Sequence, residues 1–479
     1  LNEVHYLTAL PTVTICDLDD TLIKTDLLFE SVLKMVRTKP LVSLYLPFWL
    51  LRGKAYTKER VAAQVKLDPA HLPYREDILR HVRARRDDGT QVVLASASHQ
   101  SFVHSIANYC QCFDMAHGSS GSVNLKSENK LKWIKENFEK PFEYIGDSAA
   151  DIPIWSQASR AVLVNPSKKV LKKIQASGIP HQVFTDNHST LKPMIKQLRV
   201  HQWIKNAILA VPLLAPNKIG QLALWQNVLC GIASFSFLAS AVYVMNDMLD
   251  VENDRRHPTK KNRPFAAGVL PIRYGLLMML VLGIASVSLG AILGLEFLTV
   301  LALYFGVNLA YSTRFKEVVM LDVVILASFY TMRLMAGSAA TSTPISHWLL
   351  SFSTFFFLGL AMVKRYTELR RVVGKSQNAM YGRGYGAEDK TPVLVMGISS
   401  SMLSILILAL YFSSDDVQGL YSNPSRLWAL APLLLYWSGR VWLLANRGDV
   451  HDDPVVFAVK DPQSWVVLGL AAVLVISAA

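Results

Sequence analysis

Cysteine is scarce in this chain: Cys16, Cys110, Cys112 and Cys230 are the only four. None belongs to a paired Cys/His spacing of the zinc type, so they read as reduced and structural, Cys110 and Cys112 included. The N-terminus lacks a basic region followed by an apolar run and a small-residue cleavage site, so no cleavable signal peptide is expected before the first domain, and insertion relies on later helices. Acids are outnumbered, 36 against 49 Lys and Arg, for a formal net charge of +13. No nucleic-acid motif accompanies that excess. Positive loops facing anionic lipid headgroups account for it, and no nucleic-acid partner is expected.

What is present divides in two. At 479 residues the chain is too long for one core. Residues 1–195 have ordinary charge and short apolar runs. Residues 196–479 carry repeated apolar stretches near the roughly 20 residues that cross a bilayer. Nine spans are expected, near 201–216, 222–245, 273–291, 294–312, 320–338, 347–364, 394–412, 426–444 and 463–477. Lys and Arg collect in alternate connections, at 255–272, 314–316, 364–390 and 447–460, whereas the turns near 292, 340 and 415 are almost free of them. By the positive-inside rule the basic loops and the N-terminal domain are cytoplasmic, in a multi-pass protein of the inner (cytoplasmic) membrane.

The stretch NDMLDVENDRRHPTKKNRP, residues 246–264, closes the second apolar run. Asn246, Asp247, Asp250 and Asp254 are spaced three and four apart and so share one helical face. Such a set suits Mg²⁺, which takes carboxylate and water oxygens and is often shared with substrate phosphates. Arg255, Arg256, Lys260, Lys261 and Arg263 follow directly. Metal and phosphate together explain both signs of charge at a membrane surface.

In the first domain a β-branched strand, TVTIC, runs into DLDDT. Asp17 and Asp19 suit phosphoryl transfer, one attacking while the other protonates the leaving oxygen. The crevice at strand C-termini is where open α/β sheets bind ligands. A second strand, QVVLAS, ends at Ser96, a donor to a phosphoryl oxygen. Lys130 lies in the helix NKLKWI, and FEYIGDSAADIPIW brings Asp147 and Asp151 to a Mg²⁺ site. These four segments resemble the haloacid dehalogenase superfamily over about residues 10–185. The resemblance implies an α/β Rossmann-like sheet, Asp17 as nucleophile, Asp19 as general acid and base, Mg²⁺ held by Asp17, Asp19, Asp147 and Asp151, and a helical cap near 22–88. Within that cap LVSLYLPFWLL, residues 41–51, is too short to cross a bilayer and is broken by Pro47. A buried cap helix is expected there, with a membrane-facing surface as the alternative.

The NDxxDxxxD run in an all-α domain of nine spans resembles the UbiA-type intramembrane prenyltransferases, whose ordinary members bind a prenyl diphosphate through magnesium at two acidic motifs. After the sixth span this chain reads KRYTELRR, where Lys364, Arg365, Arg370 and Arg371 surround the single acid Glu368. Positive charge there suits an anion, and Arg forks onto phosphate. With QWIKN (202–206), HPTKKNRPFAAG (257–268) and HDDP (451–454), the pattern is similar to the decaprenyl-phosphate phosphoribosyltransferase branch. That branch implies phosphoribosyl pyrophosphate as donor, a polyprenyl phosphate as acceptor, and Asp247 and Asp250 acting on a magnesium-bound pyrophosphate leaving group.

The extra phosphates need cations, for which Lys205, Arg263, Arg314, Lys316, Arg333, Lys364, Arg365 and Arg383 are candidates. Lys205, Asn206, Arg263, Tyr311, Lys316, Arg333, Lys364 and Arg365 form the expected substrate-binding set. Arg at a helix centre costs about 2.5 to 3.5 kcal/mol on insertion scales, which singles out Arg333. Arg370, Arg371 and Lys375 read instead as topology. Asp322 joins Tyr311 and Lys316 in a second cluster. YGRGYG (381–386) reads equally as an anion-holding loop or a connector, while His451, Asp452 and Asp453 read as loop structure.

A phosphatase fused to a transferase whose product keeps a ribose 5-phosphate suggests consecutive steps, since tethering raises effective concentration. The expected protein is therefore bifunctional and Mg²⁺-dependent in both domains, making polyprenyl-phosphate ribose. The competing expectation is an aromatic prenyltransferase with a separate phosphatase, and the missing second acidic motif discriminates between them.

Overall fold

A computed structural model describes residues 11–121, 124–139, 141–186, 190–214, 218–372, 384–450 and 453–479. The chain forms two compact units, one of Leu1–Gln197 with Met245–Leu277, the other of Leu198–Val244 with Met278–Ala479. The acidic segment therefore belongs to the first unit.

That unit is built on six parallel strands, β1 (Val13–Cys16), β2 (Gln91–His99), β3 (Met115–Ser119), β4 (Phe142–Gly146), β5 (Arg160–Val164) and β6 (His181–Phe184), in the order β3-β2-β1-β4-β5-β6. β1 is central, pairing with β2 from Val13↔Gln91 and with β4 from Val13↔Phe142. Both its faces are covered, so its residues read as an unbroken apolar run rather than an alternation: Val13, Ile15 and Cys16 are buried, one side packing on Leu94 and Val103, the other on Tyr144 and Trp155. β2 runs three residues beyond Ser96, where the sequence reading ended it.

Between β1 and β2 lie five α-helices, α1 (Leu27–Thr38), α2 (Pro40–Ser43), α3 (Leu46–Leu51), α4 (Lys54–Ala62) and α5 (Glu76–Asp87). Asp26 caps α1, accepting from the amides of Leu28 and Phe29, a contact worth about 1 kcal/mol. The expected burial of the 41–51 run does not occur. Val42, Leu46 and Trp49 pack inward, but Leu41, Leu44, Phe48 and Leu51 are 65–86% exposed. A helix apolar on both faces can bury only one against a single core.

α1 is fastened to the acidic segment within the same unit. Arg255 donates bidentately to buried Glu30 at 2.6 and 2.9 Å, Lys34 pairs with Glu252 at 2.6 Å, and Arg37 with Asp250 at 3.4 Å.

Among the described residues seven helices are long and apolar enough to cross a membrane, or eight if the bent pair Pro454–Lys460 and Pro462–Ala478, angled at 86°, is one span. The expected span at 201–216 falls instead on a 3₁₀ helix, Val200–Leu214, that contains Pro212. Helices dominate because a bilayer leaves backbone groups no external partner. Within the second unit small residues permit close packing: a Cβ on Gly397 would meet the Trp442 ring at 2.4 Å, and one on Gly337 would meet the Leu209 carbonyl oxygen at 2.2 Å. Backbone cannot yield as a flexible side chain does, so Gly337→Ala is expected to destabilise the protein by about 1–3 kcal/mol. Thermal unfolding in detergent checks this against Gly283→Ala, where nothing lies within 4 Å.

Candidate active sites

The C-terminal ends of β1, β2 and β4 converge on a carboxylate cluster. Asp17 follows β1, its Oδ1 accepting from the Leu18 amide at 2.8 Å and lying 2.9 Å from the Lys130 Nζ. Asp147 follows β4, and Asp151 closes the next turn. One oxygen from each of Asp17, Asp147 and Asp151 lies within 4.8 Å of the others, which no other group of acids, His or Cys achieves among the described residues. Lys130 is buried at 2% exposure and also donates to the Tyr144 hydroxyl at 2.9 Å, which donates in turn to Asp151 Oδ1 at 2.8 Å.

Three carboxylates beside one ammonium leave an excess of negative charge. Burial raises Asp17 above the usual carboxylate range against the pull of Lys130. Asp147 is pushed to about 8 by burial and then by Asp17 and Asp151. Crowded acids that resist ionising together are a cation-binding arrangement, so this donor set fits Mg²⁺.

Asp19 stands outside that group. Its Oδ1 accepts from the Leu27 amide at 2.9 Å, and its Oδ2 accepts from the Ser98 hydroxyl at 2.6 Å and the Ser96 hydroxyl at 3.3 Å. Burial, followed by the charge of Asp26, lifts it to about 7. A carboxyl near neutrality is suited to exchanging protons. Ser98 and Tyr144 are not among the residues that the sequence motifs single out, nor is Lys58, whose Nζ donates to the Ala97 carbonyl at 2.6 Å. Ser98 was legible in principle, since it faces the same way as Ser96 two residues earlier in a strand. Lys58 and Tyr144 carry no local signal.

The acidic segment keeps its helical register. The Asp250 amide donates to the Asn246 carbonyl at 2.9 Å, and Asp254 to Asp250 at 2.8 Å, so the spacing of three and four does place Asp247, Asp250 and Asp254 along one face. Asp247 and Asp254 are both buried, and Arg263 Nη1 sits between them, 2.9 Å from Asp247 Oδ1 and 2.8 Å from Asp254 Oδ2. Gln197 donates to the other Asp247 oxygen at 2.7 Å. Burial raises Asp254 to about 6 although Arg263 opposes it. A single positive nitrogen thus bridges two buried carboxylates and balances part of their charge within the chain. Arg263, expected among the substrate-binding residues, pairs with these acids.

In the second unit Lys205, on the 3₁₀ helix, donates to Asp453 at 2.6 Å; Lys364 lies 3.6 Å from the same oxygen, and the Tyr330 hydroxyl is 3.5 Å from the other. Asp453, read from sequence as loop structure, caps the helix Pro454–Lys460 and ties two cations together. Buried Arg333 spends its donors on the chain: Asn206 Oδ1 at 2.8 Å, the Phe329 carbonyl at 2.6 Å and the Tyr304 hydroxyl at 3.3 Å, with its guanidinium over Phe235, Tyr304 and Tyr330. Asn206 passes the connection to Ser236 at 2.8 Å. Arg365 is fully buried, paired with Asp322 and Glu368, and Tyr385 donates to Asp322 at 2.6 Å. Lys316 is buried in a 3₁₀ turn, and Tyr311 packs edge-on against Phe329. Arg383, Lys375, residues 381–383 of the glycine-rich loop, His451 and Asp452 lie outside the described residues.

The sequence model of the UbiA prenyltransferase family matches residues 207–460. An uncharacterised protein of Sinorhizobium fredii is 38% identical over 96% of this chain and 89% of its own length. A nodulation protein of Azorhizobium caulinodans is 33% identical over 58% of this chain and 90% of its own. The decaprenyl-phosphate phosphoribosyltransferase of Mycobacterium tuberculosis is 37% identical over 37% of this chain, which spans 60% of that relative's length.

Proposed function

Because the chain belongs to the UbiA prenyltransferase family, we propose that its membrane domain transfers 5-phosphoribose from phosphoribosyl pyrophosphate to a polyprenyl phosphate. In this reading the N-terminal domain, a haloacid dehalogenase-like phosphatase, then removes the 5-phosphate to leave polyprenyl-phosphate ribose. The observation that carries the transferase reading is the pair of buried acids Asp247 and Asp254, joined through Arg263 at the end of a candidate membrane span, supported by the 37% identity to a phosphoribosyltransferase. The basic residues after the sixth apolar run favour a phosphate-rich substrate over an aromatic one. Asp247, Asp250 and Asp254, with Asn246, take the pyrophosphate end of the donor. Within the second unit, considered by itself, Lys205 and Lys364, steadied by Asp453, offer cations suited to phosphate.

In the first domain Asp17 attacks the 5-phosphoryl group, and Asp19 protonates the departing ribose oxygen and later deprotonates water. Ser96 and Ser98 hold Asp19 in place, and Lys130 balances the charge on Asp17. Mg²⁺ bound by either acid group would neutralise phosphate charge as it builds. Both sites are cytoplasmic in this reading, because the basic connections are.

Labelled phosphoribosyl pyrophosphate, incubated with the purified protein, Mg²⁺ and a long-chain polyprenyl phosphate, is expected to deliver label to the lipid fraction. Transfer from a prenyl diphosphate to an aromatic acid, with no such label, overturns the reading. Asp453→Asn is expected to raise KM for the phosphate substrates about tenfold with a smaller change in kcat, since two close cations lose the charge that holds them together. Steady-state kinetics of label transfer measures both.

A further inference from the structure

Residues 31–58 contain six basic residues and no acid. At the middle of that stretch α2 and α3 present Leu41, Leu44, Phe48 and Leu51, spaced three, four and three apart and so on one helical side, all largely exposed, with Tyr45 also 60% exposed beside them. Exposed Lys39 stands at one end of the apolar run, and exposed Arg52 and Lys54 at the other. A contiguous apolar face of this kind marks an interaction surface. Apolar residues with aromatics, rimmed by cations, fit an anionic lipid interface, where the side chains enter the acyl boundary and the cations meet headgroups.

The connections of α1 within the same unit favour a bilayer over a protein as the partner of this surface. α1, which leads straight into the patch, is fastened by Glu30, Lys34 and Arg37 to Arg255, Glu252 and Asp250, residues that directly follow the membrane helix Leu222–Leu249. The first turn of the next span, from Ile272, belongs to this unit too. The patch is thus joined through α1, inside one unit, to the segment that links two candidate membrane spans.

We propose that α2 and α3 lie in the membrane interface as a monotopic anchor, seating the first unit on an anionic leaflet. The anchor rests on the membrane character of the second unit and not on either proposed chemistry.

The test uses the full chain in nanodiscs of phosphatidylcholine and phosphatidylglycerol that hold one copy each. Leu44→Cys, Phe48→Cys and, as a reference on an exposed helix of the same unit, Gln175→Cys carry an environment-sensitive fluorophore, with signal from the labelled parent chain subtracted. Lipids bearing a nitroxide on the acyl chain are expected to quench positions 44 and 48 at least about threefold more than 175, with blue-shifted emission. Quenching by aqueous iodide equal at all three positions overturns the proposal. So does protection of 44 and 48 that appears only in discs holding two copies, which assigns the patch to a second chain. These positions are exposed, so the labelled chains are expected to elute as the parent does.

Discussion

Asp17→Asn is expected to abolish phosphate release from the phosphoribosyl lipid, by about 10³-fold or more, while phosphoribosyl transfer continues and the phosphorylated lipid accumulates. The amide keeps the carboxylate's shape and still accepts from the Leu18 amide, but it is not a nucleophile toward phosphorus. Lys130, buried 2.9 Å away, loses its closest counter-charge; the Tyr144 hydroxyl and the nearby Asp151 remain to hold it. Some loss of stability is therefore expected too, and transfer in the same preparation shows that the chain is folded. Chromatography of the labelled lipid with and without its phosphate measures both steps at once. Undiminished release of inorganic phosphate would remove the first domain from the pathway and leave only the transferase.

Much of the acid cluster of the first unit was legible because it is written locally. DLDDT follows a strand, and Asp147 and Asp151 follow another, so a parallel sheet that sets those strands side by side had to gather them, as the Val13↔Phe142 register does. Apolar runs of span length were legible for a similar reason, since a helix in lipid is specified by composition alone. What was not legible depends on tertiary partners. Tyr144 is a strand residue until Lys130 and Asp151 close on it. The sign pattern of the acidic segment put acids and bases side by side but could not tell that Arg263 lies between Asp247 and Asp254. Nor could periodicity say which side of an all-apolar helix faces the core, and so residues 41–51 were expected inside. The stretch at 201–216 had the hydropathy of a span, yet with Pro212 it winds as a 3₁₀ helix around which Arg333 and Asn206 form their network.

Asp247→Asn is expected to reduce phosphoribosyl transfer by at least about 10²-fold and to leave hydrolysis of a soluble phosphate ester by the first domain near its original rate. The effect follows from what Asp247 balances. It is 4% exposed, one oxygen takes Gln197 and the other takes Arg263. Neutralising it leaves Arg263 on Asp254 alone, and removes half of the charge that two buried carboxylates offer a cation. An amide oxygen still accepts a hydrogen bond, so the fold is expected to persist while the affinity for Mg²⁺ and its pyrophosphate falls. Raising Mg²⁺ is then expected to restore part of the transfer in this variant but none in a variant that lacks the Arg263 side chain, because only the first defect is one of cation binding. A Mg²⁺ titration of label transfer separates the two. Equal response in both variants would mean that the bridge holds the segment in shape without contributing to the reaction.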